Sequence, residues 1–185
     1  MQIRPHRRDD ADRIAEILAD GWRTYAPFMP RDHLAGRTDV AARRTEIAEW
    51  LDDEFHARNE AIFMAAPEDG APLGFIHMEL GDKADLGAMG VVNLLYVDAA
   101  ARGTGIGREL MAAGARWLLD TRPGPLVLSA FADNPYRHFY ARLGGVETLR
   151  RQHVVAGSAI ESVLYLWRDP AVLCAHTVSA PDTVR

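Results

Sequence analysis

The stretch "RGTGIGRELM", residues 102–111, decides how this chain is read. Three of the fifteen glycines fall within its first six positions. A helical pattern then begins, with Ile106, Leu110, Met111, Gly114, Trp117 and Leu118 on one face. Directly before it, "VVNLLYV" (91–97) is nearly all apolar, as a strand covered on both faces should be. A strand, a run of bare backbone and a helix start make an anion cradle. The first N–H groups of a helix have no partner within it, and the macrodipole places partial positive charge there. Glycines remove the Cβ atoms that would hold an anion away and permit unusual φ values.

Three cradles share this outline. A nucleotide-binding P-loop needs GxxxxGK[ST], whose lysine reaches the phosphates, and that lysine is absent. A dinucleotide fingerprint needs GxGxxG early in a βαβ unit. Here the spacing is GxGxG, Arg108 stands where the third glycine belongs, and the unit begins late in the chain. The third pattern, [Q/R]xxGx[G/A], is filled by Arg102, Gly103, Thr104, Gly105, Ile106 and Gly107.

Working outward, "MQIRP" reads as a short strand. A helix capped by Asp9 or Asp10 follows, with Ile14, Ile17 and Leu18 on one stripe and Gly21 at its end. "GWRTYAPFMPRDHLAG", broken by Pro27 and Pro30, reads as a loop, and a second helix is expected from about Thr38 to Ala57. Strands "EAIFMAA" and "LGFIHMEL" come next, then a loop over 81–90. Past the glycine segment, "LVLSAF" is another buried strand. Asn134-Pro135 opens a short helix carrying Phe139, Tyr140 and Leu143, since Asn caps and Pro loses nothing at a first helical position. Residues 146–155 and 159–167 read as a closing antiparallel pair. The expectation is one α+β domain over 1–168 with a mixed sheet, followed by a loose polar tail over 169–185.

Composition narrows the classes. With 185 residues and 48% hydrophobic content the chain can bury a core unaided. Its 21 basic and 26 acidic side chains give a net charge of −5, which argues against nucleic-acid binding. Cys174 is the single cysteine, so an internal disulfide is excluded and a reducing, cytoplasmic setting fits. The polar N-terminus carries no signal-peptide pattern, and no apolar run approaches the roughly 18 residues of a membrane span. The seven histidines show no metal-binding spacing, so no metal is expected.

Two motifs carry a resemblance. "NLLYVDAAARGTGIGRELM" resembles the fourth strand, pyrophosphate loop and third helix of the GCN5-related N-acetyltransferase (GNAT) superfamily. "LSAFADNPYRHFYARLGG" resembles that family's fifth strand and fourth helix. The resemblance implies a three-layer α/β/α GNAT fold: a mostly antiparallel sheet of about six or seven strands, about four helices, and splayed fourth and fifth strands. It also implies an acetyl-CoA-dependent enzyme that acetylates the primary amine of a small molecule by direct attack through a tetrahedral intermediate. A protein or peptide N-terminal acetyltransferase and a non-catalytic acyl-CoA sensor are the alternatives. Members often pair, so a homodimer is left open.

By the same resemblance, the pyrophosphate of acetyl-CoA sits on residues 102–108, and its pantetheine arm bonds the backbone of Leu95, Tyr96 and Val97 and the side chain of Asn134. Tyr140 occupies the general-acid position; an ordinary phenol is protonated at neutral pH and can donate to the leaving sulfur. Relatives often place a Glu on the fourth strand as base, but here Asn93 stands in that neighbourhood. Glu79 is the nearest carboxylate candidate, with His77 and a water chain as alternatives. Trp22, Tyr25 and Phe28 are candidates for the acceptor wall. Glu54, Glu79, Asp82 and Asp85 would favour a cationic amine.

Overall fold

The computed structural model describes residues 1–83 and 86–175. Side-chain alternation along its third strand, β3 (Gly74–Lys83), organises the layers. Successive residues of a strand face opposite sides. Phe75 therefore packs with Ile14, Ile17 and Leu18 of α1 (Ala11–Arg23), while Ile76 and Met78 pack with Leu110, Met111 and Leu118 of α4 (Ile106–Thr121). These side chains are almost fully buried, and each contributes roughly 2 kcal/mol relative to exposure.

The remaining strands are β1 (Gln2–Pro5), β2 (Glu60–Ala66), β4 (Ala88–Val97), β5 (Leu126–Phe131), β6 (Val146–Val155) and β7 (Ser158–Trp167). The sheet order is β1-β2-β3-β4-β5-β7-β6. Among the described residues only β4 and β5 run parallel; the other neighbours are antiparallel. The β4–β5 pairing covers Gly90 to Val92 against Leu126 to Leu128 and then stops. Beyond it each strand keeps only its outer neighbour, β4 on β3 and β5 on β7, so the two diverge into an open notch.

Several boundaries differ from the sequence reading. The loop after α1 contains a helix, α2 (Arg31–Thr38), because Pro30 occupies its N-cap and its carbonyl accepts from Leu34 N–H at 2.9 Å. The expected helix from Thr38 starts instead at α3 (Val40–Glu49), where the Asp39 carboxylate accepts from the amides of Ala41 and Ala42. It ends in one wide turn over 50–54, closed by Phe55 N–H on the Trp50 carbonyl. The expected loop over 81–90 is largely strand: Leu80 pairs with Gly90 and Lys83 with Ala88 across an irregularity in register. Gly90 is required there by packing, since a Cβ would come within 2.7 Å of Leu118.

Asn134 does bend the chain, its Oδ1 accepting from Tyr136 N–H at 2.9 Å, but regular helix α5 spans only His138–Arg142. The segment after Pro170, expected loose, begins with α6 (Ala171–Ala175), whose Leu173 is buried in the α4 cluster. Residues 176–185 lie outside the described residues. No helix among the described residues is long and apolar enough to cross a membrane.

Candidate active site

The glycines before α4 divide into two kinds. Gly103 (φ +79°) and Gly105 (φ +94°) hold left-handed backbone, which lets the chain turn sharply into the helix. Gly107 has ordinary backbone but lies against α5, where a Cβ would stand 3.1 Å from the Phe139 ring. Thr104 Oγ1 donates to the Ala101 carbonyl at 2.7 Å and braces the turn. The Arg102 guanidinium donates to the Val97 carbonyl at 3.1 Å and to the Tyr136 hydroxyl at 3.2 Å, with its plane over the Tyr136 ring. A cation and helix-start amides therefore face one cavity of about 560 Å³.

That cavity runs from the glycines to the notch between β4 and β5. Asp98 N–H bonds the Leu73 carbonyl on the β3 side. Backbone alternation then turns the polar groups of Tyr96 toward β3 and those of Leu95 and Val97 toward the notch. Buried backbone groups need partners, so this edge suits an extended polar chain laid beside β4. Of the residues expected to hold acetyl-CoA, Leu95, Tyr96, Val97, Arg102, Gly103, Gly105, Gly107, Arg108, Asn134 and Tyr140 line the cavity. Thr104 acts through the Ala101 carbonyl, and Ile106 points into the core, 5% exposed.

A second cavity of about 510 Å³ opens through the same notch and shares Tyr25, Leu95, Tyr96, Asn134 and Tyr140 with the first. Three phenols thus stand at the junction. Burial, reinforced by Tyr25 and Tyr165, pushes the Tyr140 hydroxyl far above its ordinary pKa. Burial likewise raises Tyr96, and it raises Tyr25 despite a hydrogen bond from Tyr96 and the nearby Arg102 charge. All three are protonated donors at neutral pH.

Trp22, Tyr25 and Phe28 gather with Phe131 into one aromatic group. Trp22 and Tyr25 line the second cavity, whereas Phe28 supports Tyr25 from behind. Glu79 is exposed and lines neither cavity; its carboxylate accepts from the Asn93 amide at 2.7 Å, and Asn93 does line the second cavity. His77 is buried away from both, 2.8 Å from Glu60 and against Trp50, and burial lowers its pKa more than Glu60 raises it. Glu54 is exposed in the wide turn after α3, and Asp85 lies outside the described residues, as does the side chain of Asp82.

Sequence reasoning missed Tyr136, the Tyr96 ring, His153 and Ser162. Tyr136 directly follows the Asn-Pro pair that was recognised, and its contact with Arg102 had no signal in spacing. His153 on β6 and Ser162 on β7 reach the second cavity only because β7 lies beside β5. Among the described residues no group of three or more potential metal ligands gathers.

Comparison with known proteins bears on the family and the fold. The profile of the family described as "Acetyltransferase (GNAT) family" matches residues 16–145. A Bacillus subtilis protein called uncharacterized N-acetyltransferase YuaI is 24% identical, over 94% of this chain and 96% of its own length. A mycothiol acetyltransferase of Rhodococcus erythropolis is 40% identical over 78% of this chain, which spans only 52% of that longer protein. A GCN5-related N-acetyltransferase structure from Rhodopseudomonas palustris superposes with a TM-score of 0.68 at 20% identity, covering 89% of this chain and 93% of that one. The PaiA N-acetyltransferase of Thermoplasma acidophilum, solved with coenzyme A, superposes at 0.60 with 15% identity, covering 88% and 96%.

Proposed function

Because the chain belongs to the GNAT family of acetyltransferases, we propose that it transfers the acetyl group of acetyl-CoA to the primary amine of a small molecule. The observation that carries this reading is the continuous passage from the α4 glycines, along the free edge of β4, to Tyr140. The family fold with bound coenzyme A in the PaiA protein supports the cofactor side. The small-molecule acceptor named for the Rhodococcus relative supports the other, although this chain spans about half of that protein.

In this reading the α4 amides and Arg102 hold the diphosphate, and the backbone of Leu95 and Val97 holds the pantetheine arm. An amide of that edge, at Val97 or its neighbour, donates to the thioester oxygen where negative charge develops. Tyr140 donates its proton to the departing sulfur. Its raised pKa keeps it protonated, and burial brings it to the reacting centre without competing water. The second cavity receives the acceptor, and its walls of Trp22, Tyr25 and Phe131 suit an amine with an apolar body.

Thiol release from acetyl-CoA across a panel of small primary amines, together with calorimetric titration of CoA, tests the proposal. Binding with amine-dependent release is expected. Tight binding without release for any amine would leave a sensor; no binding by well-folded protein would overturn the reading.

A further inference from the structure

Acetylation at neutral pH requires a proton acceptor, because a free amine in solution is mostly ammonium. Among the described residues lining the acceptor-side cavity there is no carboxylate. The three phenols there are all raised by burial and hold their protons. Asn93, Asn134, Ser129 and Ser162 do not act as bases at neutral pH. One histidine remains. Imidazole is the side-chain type best suited to taking up and releasing a proton in this range.

His153 is not merely nearby. Its Nε2 lies 2.7 Å from the Oγ of Ser162, whose side chain is buried on β7 at 3% exposure. Ser162 is in turn paired in register with Phe131, the last residue of β5 at the notch. A fixed hydroxyl thus orients the exposed imidazole of His153. With Nε2–H donating to Ser162, the lone pair of Nδ1 is left for the acceptor. Arg151 shares this face of β6, and Tyr25, Tyr96 and Tyr140 stand across the cavity. Glu161, on the other face of β7, is engaged by Arg150 and Gln152.

We propose that His153, oriented by Ser162, is the general base that deprotonates the acceptor ammonium. The inference rests on the acetyl transfer proposed above. His153 takes the first proton from nitrogen and passes it to solvent, and the nitrogen lone pair forms the bond to the acyl carbon. As the carbon–sulfur bond breaks, sulfur takes the Tyr140 proton. The second nitrogen proton leaves as the amide forms and restores Tyr140. One ammonium and one thioester thus give one amide, one thiol and one released proton.

The test uses 2-phenylethylamine as acceptor with the wild type, His153→Gln and Ser162→Ala. For His153→Gln we expect unchanged CoA binding by calorimetry and an amine KM within about twofold. Its kcat at neutral pH should fall by about a hundredfold or more. The deficit should shrink as pH rises and the amine deprotonates unaided. Ser162→Ala should show a smaller loss with the same pH trend. Wild-type turnover in His153→Gln at neutral pH, or a loss equal at every pH, overturns the inference while leaving the acetyltransferase intact. Should the wild type bind CoA yet release thiol with no amine in a broad panel, the enzymatic reading itself fails, and this inference with it.

Discussion

The edge of the Tyr96 ring meets the backbone of Gly21, so close that a Cβ on Gly21 would stand 2.1 Å from its Cδ1. One face of the ring stacks on Phe75, with centroids 6.0 Å apart. Tyr96 is therefore clamped between α1 and β3, and its hydroxyl is delivered to the junction of the two cavities.

Gly21→Ala tests this clamp. Alanine in a helix gains up to about 1 kcal/mol over glycine. Overpacking typically costs about 1–3 kcal/mol, and the clash falls on two atoms of the ring, Cδ1 and Cε1. The clash should win, lowering Tm by about 2–6 °C and raising the amine KM. Differential scanning calorimetry decides it, and an increase in Tm would mean that the ring moves aside freely. Pairing the change with Tyr96→Leu should recover most of the stability.

Tyr140→Phe removes one hydroxyl from a buried ring that packs on Phe139 and Tyr165. Calorimetry should give an unchanged CoA dissociation constant, while kcat for thiol release falls by about 10²- to 10⁴-fold. Because burial raises rather than lowers this pKa, the wild type should show no loss of activity from Tyr140 ionisation up to about pH 10. Equal turnover in the variant would remove Tyr140 from the proton path.

The glycine segment makes a two-way prediction. Gly105→Ala forces a Cβ onto backbone at φ +94°, where it would meet only the Arg108 guanidinium at an ordinary 3.9 Å, so the strain falls on the turn itself. Roughly 1–2 kcal/mol of strain should displace the helix-start amides and weaken CoA binding about tenfold or more. Gly107→Ala instead presses on Phe139, next to Tyr140, and should lower kcat more than affinity. Titration calorimetry beside steady-state kinetics separates the two; identical effects would contradict the division of roles.

What the sequence revealed follows the range of the forces involved. The α1 stripe, the strand before the glycines, the positive-φ turn and the bend at Asn134 are local, and all were legible. The splay of β4 from β5 came from family resemblance, since no single residue encodes it. Pro30 read as a breaker although it starts α2, because a proline at a helix boundary and one in a loop look alike. Glycines 81 and 90 read as loop because their packing, against Val91 and Leu118, depends on a neighbouring strand and on a helix distant in the chain. The His153–Ser162 pair was invisible for the same reason: its place opposite Tyr25 follows from sheet order, which the pattern of side chains does not carry.

Acid should unfold the protein through Asp10. This carboxylate is 4% exposed, accepts two hydrogen bonds from Arg4 at 2.7 and 2.8 Å, and a third from the Arg7 amide at 2.7 Å. Burial alone would raise its pKa, but the hydrogen bonds and charge of Arg4, with the Arg7 amide, outweigh burial and hold it below the ordinary value. A carboxyl depressed in the folded state contributes stability that is complete above its unfolded pKa, about 4, and is lost as pH falls through the folded value. Urea unfolding should therefore show stability flat from pH 7 to about 5 and declining below about 4. Asp10→Asn should cost about 3 kcal/mol at pH 7 by leaving Arg4 half-satisfied between β1 and the start of α1, and should flatten the acid decline. An unaltered acid limb in that variant would assign the loss to other carboxylates.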